Sequence, residues 1–121
     1  MSETRRVLII DDEPSVLDAL RLILEDGGYS VAVAPTGAQG IRLARERDFD
    51  LVITDLRLPD MTGLDVLDAV CRERPATPVV LISSHGTSEI FAEARRCGAT
   101  ATLPKPFRPS EILQLINDTL A

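Results

Sequence analysis

Five short apolar runs recur along the 121 residues of this chain: Val7–Ile10, Val31–Ala34, Leu51–Thr54, Val79–Ile82 and Ala99–Leu103. Near-continuous apolar runs of this length, rich in β-branched residues, suit strands covered on both faces, as in a parallel sheet. The stretches between them carry helical periodicity. Val16, Leu17, Leu20, Ile23 and Leu24 fall on one face. Leu64, Leu67, Val70 and Cys71 form a second such face, Ile90, Ala94 and Cys97 a third, and Ile112, Ile116 and Leu120 the last. Alternating strand and helix predicts an α/β fold, a doubly wound five-stranded parallel sheet of (βα)5 type. The first, third and fourth runs are the most apolar and belong in the centre. The second carries small Ala and the fifth alternates Ala with Thr, which places them at the edges.

Punctuation supports this division. Pro14 fits the first turn of helix one, and Gly27-Gly28 ends it. Thr36 with Gln39 resembles a capping box, and Thr62 with Asp65 does so more weakly. Gly98 follows the fourth helix and Pro109 opens the fifth. No linker, charge block or low-complexity tract interrupts the pattern, so one domain spanning residues 1–121 is expected.

Composition narrows the function. Thirteen basic residues against nineteen acidic ones leave a net charge of −6, which argues against direct nucleic-acid binding by this domain, since phosphate backbones need a basic face. Any such contact is expected to fall to another segment. The only apolar run near the N-terminus is too short for a signal peptide, and none approaches the ~20 residues of a membrane span. A cytoplasmic protein without membrane contact is expected. The two cysteines, Cys71 and Cys97, are then expected inside helices, reduced and buried rather than paired. Among the basic residues the single lysine is Lys105, which invites a specific role for its ammonium.

In an open α/β sheet, ligands bind beyond the carboxyl ends of the strands. Asp11-Asp12 follows the first run, Asp55 the third, Ser83-Ser84 the fourth and Lys105 the fifth. Singly, each has an ordinary reading as a helix cap, a turn hydroxyl or a solvated charge. Together they bring three carboxylates, a hydroxyl and the lysine to one rim. Crowded carboxylates repel, and without a partner at least one has its pKa raised. A hard divalent cation relieves that repulsion, and oxygen-only ligands suit Mg2+, whereas zinc lacks a Cys or His grouping. An ionised Asp is also a competent nucleophile for phosphoryl transfer, with Lys105 as a compact charge for a phosphoryl oxygen.

Asp11-Asp12-Glu-Pro, Val52 to Gly63, Ile82-Ser83 and Leu103-Pro-Lys-Pro-Phe107 resemble the receiver domain of two-component response regulators over essentially the whole chain. The resemblance implies flavodoxin-like strand order 2-1-3-4-5 and a cis Lys105–Pro106 bond. It implies that Asp55 accepts a phosphoryl group from a sensor histidine kinase or phosphotransfer protein. Asp12, Asp55 and the Arg57 carbonyl would ligate Mg2+, with Asp11 acting mainly through a bound water. Ser83 would hydrogen-bond the phosphoryl group, Lys105 would pair with it, and Ser84 would line the cofactor-binding mouth and narrow access. Two positions depart from the family pattern. Thr102 stands where a switch aromatic is usual, and Ser84 stands where Ala or Gly is usual. His85, the only histidine, reads as a loop residue near the mouth.

The expected function is therefore a phosphorylation-dependent switch acting on a downstream effector domain or protein, not a turnover enzyme. Homodimerisation on phosphorylation belongs to the same expectation. A Mg2+-dependent hydrolase using Asp55 would need a second acid/base residue, and no carboxylate stands two residues beyond it. A degenerate interaction module conflicts with the complete set of Asp11, Asp12, Asp55, Ser83 and Lys105. A nucleotide- or flavin-binding protein lacks a Gly-rich loop after the first run.

Overall fold

A computed structural model describes residues 4–84 and 86–121. Strands and helices alternate: β1 (Arg6–Ile10), α1 (Pro14–Asp26), β2 (Ser30–Ala34), α2 (Gly37–Glu46), β3 (Leu51–Asp55), α3 (Gly63–Glu73), β4 (Val79–Ser83), α4 (Ser88–Arg96), β5 (Ala101–Pro104) and α5 (Pro109–Leu120). All strand pairings are parallel, in the order β2-β1-β3-β4-β5. This is the flavodoxin-like order. The central strands β3 and β4 are buried throughout, as their uninterrupted apolar sequences require.

Each strand divides its side chains between two cores, because successive residues point to opposite faces. Leu8, Ile10, Val52, Val79 and Leu81 pack with Ala44, Val66, Val70 and Ala94 from α2, α3 and α4. Val7, Ile9, Leu51, Ile53, Val80 and Ile82 pack with Leu17, Leu20, Leu24, Ile112 and Ile116 from α1 and α5. The expected helical faces are those that turn inward. Val16, Ile23, Leu64, Ile90 and Leu120 are half-buried at their margins.

Several local expectations are corrected. The fifth strand begins at Ala101 rather than Ala99, because residues 97–99 close α4. Gly98 takes a left-handed φ of 112°, and the Ala99 N–H donates to the Ala94 carbonyl at 2.9 Å. Cys97 is therefore the exposed residue that ends α4, not a buried one within it, and Cys71 is half-buried; both thiols are free. The stronger capping box is Thr62–Asp65, where the hydroxyl accepts from the Asp65 N–H and that carboxylate accepts from the Thr62 N–H. At α2 the Thr36 hydroxyl accepts from the Gln39 N–H, but the Gln39 side chain turns to the Thr36 hydroxyl instead of the backbone.

Gly63 joins the β3–α3 loop to its helix at very close range. Its N–H donates to the Leu56 carbonyl at 2.6 Å. A Cβ there would overlap the Asp55 carbonyl oxygen and lie 2.8 Å from Leu81 Cδ1 and 2.9 Å from Leu56 Cα. Two of these neighbours are backbone and cannot rotate away. Gly63→Ala should therefore destabilise the fold by roughly 1–3 kcal/mol, measured as a lowered midpoint of urea unfolding. An unchanged midpoint would contradict this packing.

Candidate functional site

Residues at the carboxyl ends of β1, β3, β4 and β5 lie side by side because these strands are neighbours and run in one direction. Asp11 follows β1 and is fully buried. One of its carboxylate oxygens accepts from the Glu13 N–H at 3.0 Å, and the other accepts from Lys105 Nζ at 2.9 Å. Asp55 ends β3 and is 6% exposed. Its Oδ1 accepts from the Leu56 N–H at 2.8 Å, while the same N–H also donates to the Ile82 carbonyl at 3.0 Å. Pairing with β4 thus aims the carboxylate. Its Oδ2 lies 3.5 Å from Lys105 Nζ.

Lys105 enters from the loop after β5, where the Lys105–Pro106 peptide is cis. Its N–H donates to the Ser83 carbonyl at 2.9 Å, so the last rung of the sheet sets its position. The ammonium reaches across β4 and β3 to Asp11 and Asp55, with Glu13 Oε1 at 3.9 Å. Ser83 is buried at the end of β4. Asp12 is exposed, and it completes a group in which Asp11, Asp12 and Asp55 each offer an oxygen within 4.8 Å of the others.

The charges are strongly coupled. Burial raises the Asp55 carboxyl above its ordinary value, and the neighbouring Asp11 charge adds to the rise; Lys105 and the Leu56 N–H oppose it without cancelling it. Burial works against the Lys105 charge. The hydrogen bond and charge of Asp11, with Asp55 and Glu13, outweigh it, so the ammonium is held more firmly than usual. Three carboxylates around one half-buried ammonium leave net negative charge. An acidic, oxygen-only donor set with one solvent-facing member suits a hard cation, and Asp11, Asp12 and Asp55 crowd their oxygens together beside the single Lys105 ammonium. The cluster fits a metal ion.

Residues 7–117 match the family model described as the response regulator receiver domain. The chain belongs to that family. It is 45% identical over 107 residues to the transcriptional regulatory protein KdpE of Mycobacterium tuberculosis strain H37Rv, covering 88% of this chain and 47% of the relative. With the transcriptional regulatory protein GlrR of Escherichia coli K12 it shares 35% over 114 residues, 94% of this chain and 26% of the relative. It therefore spans between about a quarter and a half of these relatives. The crystal structure of a CheY-like receiver domain protein from Methanospirillum hungatei JF-1 superposes with a TM-score of 0.94 at 31% identity, covering 98% of this chain and 94% of that one.

Within this receiver domain, Asp11, Asp12, Asp55, Ser83 and Lys105 share the expected rim. Arg57 is exposed just beyond it, on a loop closed by its pairing with Thr62. Ser84 is exposed and lines an apolar groove with Glu13, Lys105 and Phe107, beside the carboxylates. His85 lies outside the described residues. Thr102, in the usual aromatic position, is half-buried, and its hydroxyl accepts from Arg95 of α4 at 3.1 Å. Sequence reasoning assigned no role to Glu13, although the Asp-Asp-Glu run was visible. It also missed the Leu56 N–H, which leaves no sequence signal.

The raised Asp55 carboxyl has a consequence for stability. A folded-state pKa above the unfolded one means that the native state binds more protons, so stability falls as pH rises through that window. Asp55→Asn should therefore raise the urea midpoint at pH 7 in the presence of a chelator. The gain should shrink as pH drops below the native pKa of Asp55. A variant less stable than wild type at pH 7 would contradict the electrostatic account.

Proposed function

We propose that this receiver domain is a phosphoacceptor switch that takes a phosphoryl group onto Asp55, with Mg2+, from a phosphohistidine of a sensor kinase or phosphotransfer protein. The observation that carries the reading is the ammonium of Lys105, held 2.9 Å from Asp11 and 3.5 Å from Asp55 beside an otherwise acidic, oxygen-only cluster. One carboxylate is aimed and largely desolvated, and one fixed positive charge waits beside it.

Asp11, Asp12 and Asp55, with the Arg57 carbonyl, are the groups that would hold Mg2+, which supplies positive charge for the phosphoryl oxygens. An Asp55 carboxylate oxygen attacks phosphorus as the phosphorus–nitrogen bond to the donor imidazole breaks, and the leaving imidazole keeps that bonding pair. The product is an acyl phosphate on Asp55. The backbone hydrogen bond from Leu56 holds the nucleophile in line, so little side-chain freedom is lost on attack. Lys105 pairs with one phosphoryl oxygen, and the Ser83 hydroxyl donates to another. Ser84 stands at the mouth and narrows access.

Phosphorylation replaces the single carboxylate charge of Asp55 with a phosphoryl group carrying roughly −1.5 to −2, so a bulkier and more negative group sits at a buried edge of the sheet. Moving Ser83 and Lys105 toward that charge biases the surface of α4, β5 and α5, since Lys105 directly follows β5, which carries the Arg95 acceptor Thr102. The output is binding, by a downstream effector domain or protein or by a second receiver, rather than turnover of a substrate. The formal charge of −6 leaves nucleic-acid contact to such an effector. No described helix is long and apolar enough to cross a membrane, and the proposed partners place the protein in the cytoplasm.

Incubation with Mg2+ and acetyl phosphate, followed by intact-mass measurement, tests this reading. Wild type should gain one base-labile phosphoryl group, and Asp55→Asn should gain none. A full gain in the variant, or none in wild type, would overturn the assignment. Lys105→Arg should still bind Mg2+ but lose the phosphodonor-dependent change in the spectrum of α4 and β5 amides, because a planar guanidinium cannot replace a point charge at this spacing. A wild-type response from that variant would remove the role given to Lys105.

A further inference from the structure

Three residues beyond Arg57, the β3–α3 loop makes a contact that the proposed chemistry does not use. The Asp60 carboxylate accepts from the backbone N–H groups of Gly37 and Ala38, each at 2.9 Å. These are the first two residues of α2, whose N–H groups have no partner within the helix. Their hydrogen bonds lower the Asp60 carboxyl below its ordinary value, as expected for an anion at a helix N-terminus. Met61 packs beside them, filling the space a Cβ on Gly37 would take. The helix has its own local cap in Thr36. Asp60 therefore does more than complete α2: it ties the tip of the β3–α3 loop to the neighbouring helix, which packs beside α3 and over β1.

We propose that Asp60 is a positioning residue for metal binding, holding the β3–α3 loop so that the Arg57 carbonyl faces the carboxylate cluster. The inference rests on the proposed Mg2+ site. The loop is short and internally braced: Arg57 pairs with Thr62, the Leu58 N–H donates to the Met61 carbonyl at 3.2 Å, and Gly63 is pressed onto Asp55 and Leu56. Such a loop moves largely as a unit. Its base is fixed by β3 and α3, and its tip is fixed by Asp60 and Met61 against α2. Releasing the tip lets the unit tilt about its base, and Arg57 lies between the two anchors. The carboxylates of Asp11, Asp12 and Asp55 sit on the sheet and do not depend on this tether. Loss of Asp60 should weaken the site without abolishing it.

Two substitutions separate positioning from simple helix capping. Asp60→Ala and Thr36→Ala each remove a cap from α2, but only the first frees the loop. Isothermal titration with Mg2+ alone should show binding weakened roughly three- to tenfold in Asp60→Ala, at or below the ten- to hundredfold typical of lost outer-shell support. Thr36→Ala should bind Mg2+ as wild type does. Asp60→Asn, which keeps one acceptor oxygen for these N–H groups, should recover part of the affinity. Amide spectra of all three should retain the wild-type fold. Equal Mg2+ affinity in wild type and Asp60→Ala, or an equal loss in Thr36→Ala, would overturn the role of Asp60 alone. Failure of wild type to bind Mg2+ would overturn both this role and the site on which it rests.

Discussion

The ammonium of Lys105, held between the carboxylates of Asp11 and Asp55, is the interaction around which this structure is arranged. Its partners come from β1 and β3, while the lysine follows β5, so the contact spans four adjacent strands. It exists only if those strands are parallel, in this order and in this register. The Lys105 N–H on the Ser83 carbonyl and the Leu56 N–H on the Ile82 carbonyl supply that register at the carboxyl edge. Two apolar cores, one on each face, hold the sheet that carries these ends. The site is thus a product of the whole fold rather than of any one loop.

The same interaction leaves the site unbalanced. A buried carboxylate beside another buried carboxylate is costly, and one ammonium cannot neutralise both together with the exposed Asp12. That imbalance is consistent with a metal-assisted phosphoryl acceptor: added positive charge would relieve the repulsion, and the nucleophile meets little competing water. It also gives the proposed switch its sensitivity, because any new charge at Asp55 is felt by a lysine attached to the edge strand that carries Thr102 and meets Arg95 of α4.

Much of this was legible in the sequence, for identifiable reasons. Strands buried on two faces must be apolar without interruption, so Leu51–Thr54 and Val79–Ile82 stood out. Small Ala in Val31–Ala34 marked an edge correctly. Lys105 was conspicuous as the one lysine among thirteen basic residues, and Asp11, Asp12 and Asp55 were placed by the rule that ligands gather past strand ends. Features that depend on fine local geometry were less visible. The Gln39 side chain has the right chemistry for a cap box and does not make one, whereas Asp65 does. Cys97 fits a helical stripe but falls at the turn that ends α4. Asp60 was invisible because its partners lie 22 and 23 residues away, a separation that carries no periodic signal.

The central claim is that one carboxylate, that of Asp55, receives the phosphoryl group while its neighbours do not. Borohydride reduction after treatment with Mg2+ and a small phosphodonor converts an aspartyl phosphate to homoserine, which peptide sequencing by mass spectrometry can locate. The account predicts homoserine at position 55 and unmodified aspartate at positions 11 and 12. Homoserine at either of those positions, or at none, would contradict it.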